Sequence, residues 1–339
     1  MKRLLSLILS VCVVVTALSF TGVNAYAAES KFNEQKQQFN SQNSSFNFDG
    51  DKYVRIKYAE KAEIYFASSF GKKEKLVTKE GSAAYPTVKG SYVYWINYAK
   101  GAIMRCKTNG SGKKAVVKFD AENDGLLYII SGKKLIYQLT SYDAKTYKVK
   151  SSKLYTAALT GKNKKSIATG ISGYGMYTYK NKVYFIKSNK LYSYSFKTKK
   201  TALVKKGFKG MQINGMEGAD LYYLHLDSEG DTEAYTVRKI NVKTKKVKKI
   251  GVVKSEKSIW SMITTGSGVF VITDDNDLGK KSFAKFRNGK LDYETYEKKY
   301  DIAGDNMSFY KNFIVFDENK LNSDGFPEGA GYIKVVKVK

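Results

Sequence analysis

Short runs of alternating apolar and polar residues recur along almost the whole chain, separated by turns. The clearest example, residues 92–118, reads as a strand, a loop, a second strand, an Asn-Gly turn and a third strand. Tyr, Val, Ile, Phe and Thr dominate these runs, and they are the residues that fit a pleated, half-buried surface. No amphipathic helix of useful length interrupts the series. The pattern therefore predicts an all-β protein built from antiparallel strands.

The strands are grouped into a repeating unit of about forty residues. The most apolar strand of each unit lies at 53–58, 92–96, 135–139, 183–186, 221–226, 269–273 and 313–317. Another strand usually precedes it, and a third and often a lysine-rich fourth come after it. Four-stranded antiparallel sheets that pack on one another in series predict a β-propeller over residues 45–339. We expect seven blades; six or eight stay open, because blade boundaries slip easily.

The two ends of the chain carry signals of their own. Lys2 and Arg3 precede an apolar run, and small residues at 23–27 offer cleavage sites, so residues 1–28 are predicted to be a signal peptide. The alternative, an N-terminal membrane anchor, is disfavoured by the shortness of the apolar run. The mature chain is expected to be secreted, monomeric, without a transmembrane segment, and either free outside the cell or associated with its wall.

The polar segment 29–44 has a predicted structural use. The seventh unit ends with its third strand, so a fourth strand must come from elsewhere if the ring is to be complete. Residues 29–43 are the obvious donor, and their pairing would hold the two termini together. The alternative is a disordered polar segment ahead of blade 1.

One unit resembles a known repeat. Residues 94–97 (YWIN), Ile103, Arg105, the turn at 109–111 and the run at 115–117 are similar to a YWTD repeat, with Ile and Asn replacing its Thr and Asp. YWTD repeats build the propellers of low-density-lipoprotein-receptor relatives. A family of bacterial secreted propellers of undefined function shares the pattern, and the chain resembles that family most. The resemblance implies the fold and supplies no ligand.

The charge adds a candidate binding surface. The chain has 59 basic and 31 acidic residues, a net charge of +28, and such a field favours anionic partners. In an antiparallel blade with strands A to D, the A–B and C–D turns lie on one face of the disc, and the B–C and D–A connections lie on the other. We call these the basic face and the loop-rich face. Candidate binding residues of the basic face are Lys72, Lys73, Lys113, Lys114, Lys164, Lys165, Lys199, Lys200, Lys245 and Lys246.

The expected partner of this face is an anionic cell-envelope polymer such as a teichoic acid, an acidic glycan or an anionic lipid headgroup, rather than nucleic acid. The alternative is that the lysines serve solubility and protect the outer sheet edges from pairing with other chains. Tyrosines in predicted loops, Tyr98, Tyr142 and Tyr147, are further candidate contacts to a sugar or a peptide.

Residues that could carry chemistry are few. Two acidic clusters in adjacent B–C loops could hold Ca²⁺, although neither has the full EF-hand spacing: Asp227, Glu229 and Asp231, and Asp274, Asp275 and Asp277. His225 lies in a predicted strand without a GxSxG elbow nearby, and Cys106, the one cysteine after residue 28, is interpreted as a sheet residue.

The sequence therefore predicts a non-catalytic binding or scaffold propeller with no required cofactor. One alternative is a carboxylate-based glycan hydrolase or lyase on the same fold. Another is a sensing or regulatory propeller that binds a second exported protein.

Overall fold

The structure is a computed structural model. It describes residues 46–57, 61–173, 175–208, 210–227, 235–253, 257–265, 268–275, 280–293, 296, 306–310, 313–318 and 332–337. The named strands, β1 to β27, form six four-stranded antiparallel sheets and one three-stranded sheet. The prediction of an all-β propeller is confirmed, and the sheets number seven in the described part of the chain.

Each sheet is a simple meander in which every strand pairs with the next one along the chain. Blades 1 to 3 contain β1 (Phe46–Asp49), β2 (Lys52–Lys57), β3 (Ala62–Ala67), β4 (Lys75–Glu80), β5 (Ala84–Lys89), β6 (Tyr92–Asn97), β7 (Ala102–Lys107), β8 (Lys114–Lys118), β9 (Asp124–Ser131), β10 (Lys134–Tyr142), β11 (Val149–Ala158) and β12 (Lys165–Thr169). The four strands of each blade are its strands A to D, in chain order.

The remaining blades have the same plan. Blades 4 to 6 contain β13 (Tyr177–Tyr179), β14 (Lys182–Lys187), β15 (Lys190–Ser195), β16 (Thr201–Lys205), β17 (Gly210–Glu217), β18 (Asp220–Leu226), β19 (Tyr235–Asn241), β20 (Val247–Val253), β21 (Lys257–Thr265), β22 (Gly268–Asp275), β23 (Lys280–Arg287) and β24 (Lys290–Asp292). Blade 7 contains β25 (Asn306–Tyr310), β26 (Phe313–Glu318) and β27 (Tyr332–Lys337).

The hydrophobic cores lie between neighbouring blades. In β6, Trp95 packs with Val54 and Ile64 of blade 1, whereas Tyr94 of the same strand packs toward blade 3 with Leu135. The B strand is therefore buried on both of its faces. This explains why it reads as a nearly continuous apolar run rather than as an alternating one.

The ring closes between blades 7 and 1. Val315 of β26 is fully buried in one cluster with Phe46, Phe48 and Tyr53 of blade 1. The A strands of blades 1 and 2, 4 and 5, 5 and 6, and 6 and 7 contact one another, and β25 contacts β1 in the same way. The A strands therefore lie nearest the axis of the ring, and the D strands form its rim.

Glycines in two C–D turns bring the rim of one blade close to the next. A methyl group at Gly110 would lie 2.5 Å from the carbonyl oxygen of Val77 in β4, and one at Gly161 would overlap the carbonyl of Val116 in β8. Both glycines have positive φ, at 84° and 82°, which L side chains rarely adopt. These two positions hold blade 2 against blade 1 and blade 3 against blade 2.

A buried carboxylate also joins blades 1 and 2. The side chain of Glu80, at the end of β4, is 1% exposed. Its oxygens accept hydrogen bonds from Asn97 Nδ2 at 2.8 Å, Thr78 Oγ1 at 3.0 Å and Lys113 Nζ at 2.9 Å. Asn97 is the last residue of the YWIN tetrad, so the tetrad supplies a donor across the blade interface. Lys113, one of the ten candidate lysines, is thereby engaged within the protein.

Replacement of Glu80 should therefore weaken the junction between blades 1 and 2. We expect Glu80→Gln to lower the free energy of unfolding by about 1–3 kcal/mol, because buried donors lose a charged acceptor. Lys100→Gln is the control: Lys100 Nζ lies 3.5 Å from Glu80, and its side chain is 54% exposed, so its loss should change stability by less than about 0.5 kcal/mol. Urea denaturation of both variants is the measurement, and equal losses would contradict the assignment.

The blade-closing role of residues 29–43 lies outside the described residues and stays a prediction. At each junction between neighbouring blades, a D strand precedes the A strand of the next blade, and residues 29–43 precede β1 in the same manner. Deletion of residues 29–43 should lower the melting temperature by at least about 5 °C, because blade 7 would lose its rim strand. A Gly/Ser segment of equal length should fail to restore it, and an unchanged melting temperature would remove the hypothesis.

Candidate functional site

The ten candidate lysines lie along one face of the disc. All ten are exposed, and each lies in a C–D connection or at the first residue of a D strand. Lys113 is the exception in its pairing, since its ammonium binds the Glu80 carboxylate. Among the described residues, the other nine have no carboxylate within the ion-pair distance of 4.0 Å. These nine ammoniums are therefore not neutralised by an ion pair with a described carboxylate.

Two acids of the basic face are already paired. Asp49 Oδ1 lies 2.7 Å from Lys89 Nζ, and Asp220 Oδ2 lies 2.5 Å from Lys239 Nζ. Burial opposes the ionisation of both carboxyls, but hydrogen bonds to the charged forms outweigh it and lower both pKa values. These carboxylates remain charged at neutral pH, and each neutralises a lysine outside the candidate set.

Three turns of the protein share a six-residue design, at 143–148, 195–200 and 241–246. In each, the first side chain accepts a hydrogen bond from the backbone N–H of the threonine at the fourth position, at 2.9, 3.2 and 3.1 Å. The N–H of the first residue donates to the carbonyl of the sixth, at 2.8, 3.0 and 3.0 Å. The fifth residue has positive φ in all three. The first turn is a B–C connection of blade 3, so it lies on the loop-rich face; the other two lie on the basic face.

The fifth position of the two basic-face turns carries a lysine despite its backbone. Lys199 has φ of 57° and Lys245 has φ of 60°. Residues other than glycine are uncommon in this region, and asparagine is several-fold enriched among those that adopt it. Local backbone preference does not account for lysine at either position.

We expect Lys199→Asn and Lys245→Asn each to raise the free energy of unfolding by about 0.5–1 kcal/mol, because asparagine tolerates positive φ better than lysine does. Thermal and urea denaturation of the single and double variants is the measurement. Lys200→Asn, one position further along the same turn, should give no gain. A loss of stability in both fifth-position variants would show that the lysine side chains support the fold.

Several lysine ammoniums of the basic face lie over aromatic rings. Lys164 Nζ lies 4.5 Å from the ring centroid of Tyr155, and Lys134 Nζ lies 5.6 Å from that of Phe196. Lys180 and Lys243 both lie 5.8 Å from the ring of Tyr179. Such contacts hold a cation in place without neutralising it. The sequence interpretation missed them, because it considered only loop tyrosines as candidate contacts.

The loop tyrosines have different surroundings from those expected. Tyr98 packs edge-on against Phe119, with ring centroids 6.1 Å apart, and Tyr142 is the last residue of β10. Tyr147 is 69% exposed in the turn at 143–148. Of the three, only Tyr147 has most of its surface available to a partner.

The candidate calcium ligands on the loop-rich face are only partly described. Asp227 Oδ1 accepts a hydrogen bond from Arg238 Nη2 at 2.6 Å and lies 3.6 Å from His225 Nε2. The backbones of Asp274 and Asp275 lie opposite those of Lys281 and Lys280 in the β22–β23 strand pairing. Glu229, Asp231 and Asp277 lie outside the described residues. Within the described ranges, no group of three or more His, Cys, Asp and Glu side chains could hold a metal, and the calcium hypothesis stays a prediction.

Cys106 lies fully buried in β7. Burial raises the pKa of its thiol to about 11, so the thiol is protonated at neutral pH and is a weak nucleophile. Its position matches the interpretation as a sheet residue. In the part of the chain that the structure describes, no helix is long and apolar enough to cross a membrane.

The chain is similar to known proteins in structure and not in family or curated sequence. No family model and no curated protein matches the sequence. The fold is similar to an oligogalacturonate lyase in complex with manganese (TM-score 0.53, 10% identity, 86% of each chain covered). It is also similar to a prolyl endopeptidase (TM-score 0.52, 13% identity), covering 87% of this chain and 50% of that one. A nidogen/laminin complex matches at 14% identity over 62% of this chain and 78% of that one, with a TM-score of 0.42. At these identities, the first two similarities concern the fold alone.

Proposed function

We propose that the chain is a secreted, non-catalytic binding propeller that attaches to an anionic polymer of the cell envelope through its basic face. The observation that carries the proposal is the set of exposed C–D lysines without carboxylate partners among the described residues. Two of them, Lys199 and Lys245, are lysines at positions of positive φ, where glycine or asparagine would be expected. Edge protection alone would require lysines in the D strands, not in the turns that precede them.

The type of basic residue supports a repeating, point-like anion as the ligand. The chain has only five arginines, and three of the described ones pair with acids of the protein: Arg55 with Glu74, Arg238 with Asp227 and Arg287 with Asp292. Lysine carries a compact, hydrated charge that does not demand the planar, two-pronged geometry of a carboxylate. Many weak lysine contacts along one polymer would combine into appreciable affinity.

Binding of a teichoic-acid-type polymer tests the proposal. We expect the mature protein to bind isolated cell wall at low salt and to lose at least about tenfold in affinity between 50 and 300 mM NaCl, because surface charges are screened. The double variant Lys199→Asn, Lys245→Asn should bind more weakly although it is at least as stable. Lys145→Gln, Lys148→Gln on the loop-rich face is the matched control and should bind like the wild type. Salt-independent binding, or equal losses in both double variants, would contradict the proposal.

Turnover distinguishes the binding propeller from the alternative, a carboxylate-based glycan hydrolase or lyase. A binding propeller leaves oligogalacturonate, bacterial cell wall and host glycans intact, with or without added manganese or calcium. Release of shortened or unsaturated products, abolished by Asp227→Asn, would favour the enzyme.

A protein partner and the family relationship are finer parts of the proposal. Another exported protein would bind at the loop-rich face, where Tyr147 is exposed; capture by the wild type but not by Tyr147→Ser would support this. We also propose descent from the bacterial secreted propellers with YWTD-like repeats. The support is the pattern at 94–97, together with the inter-blade hydrogen bond that Asn97 donates to Glu80.

A further inference from the structure

A single tyrosine on the basic face has the ammoniums of two lysines, from different blades, close to its ring. Tyr179 ends strand A of blade 4, Lys180 is the next residue, in the A–B turn, and Lys243 comes from the C–D turn of blade 5. Each ammonium lies 5.8 Å from the centroid of the Tyr179 ring. The ring itself is partly buried against the core between blades 4 and 5, as is Val242, the neighbour of Lys243.

Lys180 occupies a position where local structure favours glycine. The A–B turns of blades 1, 2, 3 and 5 begin with a glycine of positive φ: Gly50, Gly90, Gly132 and Gly218, at 62°, 60°, 57° and 55°. Lys180 adopts the same conformation, with φ of 53°. A long L side chain is disfavoured there relative to glycine. Blade 4 therefore carries a charge at a position where four other blades carry no side chain.

The three side chains around this point are available to an anion. Among the described residues, neither Lys180 nor Lys243 has a carboxylate within 4.0 Å, and the Tyr179 hydroxyl makes no hydrogen bond to the protein. Contact with one ring places the two ammoniums at most about 12 Å apart. An anion held between the two ammoniums would lie at most about 6 Å from each of them, which is inside the Debye length of about 8 Å at physiological salt.

We propose that Tyr179, Lys180 and Lys243 form a subsite for one phosphodiester group of the polymer. This inference rests on the proposed function and names the ligand chemistry at one point of the basic face. A phosphodiester carries one negative charge on two free oxygens. These can accept from the two ammoniums and from the tyrosine hydroxyl, whereas planar carboxylates are matched best by arginine, which this point lacks.

The test compares two polymers and two pairs of lysines. Poly(glycerol phosphate) and polygalacturonate of equal charge are titrated into the mature protein by calorimetry at 150 mM salt. Lys180→Gly keeps a residue suited to positive φ, and Lys243→Gln keeps a long polar side chain. We expect this double variant to lose at least about tenfold in affinity for poly(glycerol phosphate), since two ammoniums that face one anion are removed. Tyr179→Phe should lose about twofold to fivefold, because it keeps the ring and loses the hydroxyl donor.

The control is Lys145→Gln with Lys148→Gln. It makes the same change in net charge, and Lys145 occupies the same position in its turn as Lys243 but on the opposite face. The control should change affinity by less than about twofold. Thermal melts of every variant must match the wild type or exceed it, and Lys243→Gln alone serves if the double variant melts lower.

The outcomes separate the subsite from the wider proposal. Equal losses in the test and control pairs would overturn the subsite, since net charge alone would then govern binding. Full affinity in the Lys180/Lys243 variant, with affinity lost in the Lys199/Lys245 variant, would overturn the subsite and leave the basic-face proposal standing. Binding of polygalacturonate as strong as that of poly(glycerol phosphate) would overturn the phosphodiester assignment. Absence of binding by the wild type to both polymers and to cell wall would overturn the proposed function itself.

Discussion

The burial of each B strand on both faces is the constraint on which the rest of the structure depends. A single four-stranded sheet cannot cover two apolar faces, so it needs a neighbour on each side. Trp95 and Tyr94 show this within one strand, because they pack toward blades on opposite sides of their own. Only a closed ring satisfies the requirement for every blade, and Val315 against Phe46 satisfies it at the last junction. The connections are left outside the core, where their residues are free to serve function.

One turn design occurs on both faces of the disc. The turns at 143–148 and 241–246 make the same hydrogen bonds, although one is a B–C connection and the other a C–D connection. In the first turn Tyr147 takes the position of positive φ, and in the second Lys245 takes it. A turn of fixed geometry can therefore present an aromatic ring on one side of the molecule and an ammonium on the other. Asp49 and Asp220 do not offset the basic face, since each already pairs with its own lysine.

Much of the fold was predictable, because strand period and unit spacing are local properties of a sequence. The all-β class, the meander and the three described strands of the seventh sheet all derive from them. The contacts that decide the role of single residues are not local. Lys113 was expected to be free, yet it reaches Glu80, 33 residues earlier in the chain, because blade 2 packs against β4. Likewise, Lys243 meets Tyr179 only because blade 5 packs on blade 4.

Backbone conformation was the second obstacle to prediction. Positive φ in a turn is normally predicted from a glycine or an asparagine. Lys180, Lys199 and Lys245 are neither, so the sequence did not indicate their backbone conformation. The acidic loops were a third obstacle, because the sequence does not show that Asp227 has a partner within the protein. Strand pairing within blade 5 brings Arg238 to it. The sequence thus placed the candidate lysines on one face of the disc, and the structure was required to find their individual contacts.

The C–D turns of successive blades have a consequence for how a polymer would lie on the disc. Exposed candidate lysines occur in or beside the C–D turns of blades 1 to 5. A linear polymer that follows these turns would contact several blades of one disc at once. Because the blades are packed into a closed ring, the spacing between those contacts would be set by the fold and not by the polymer.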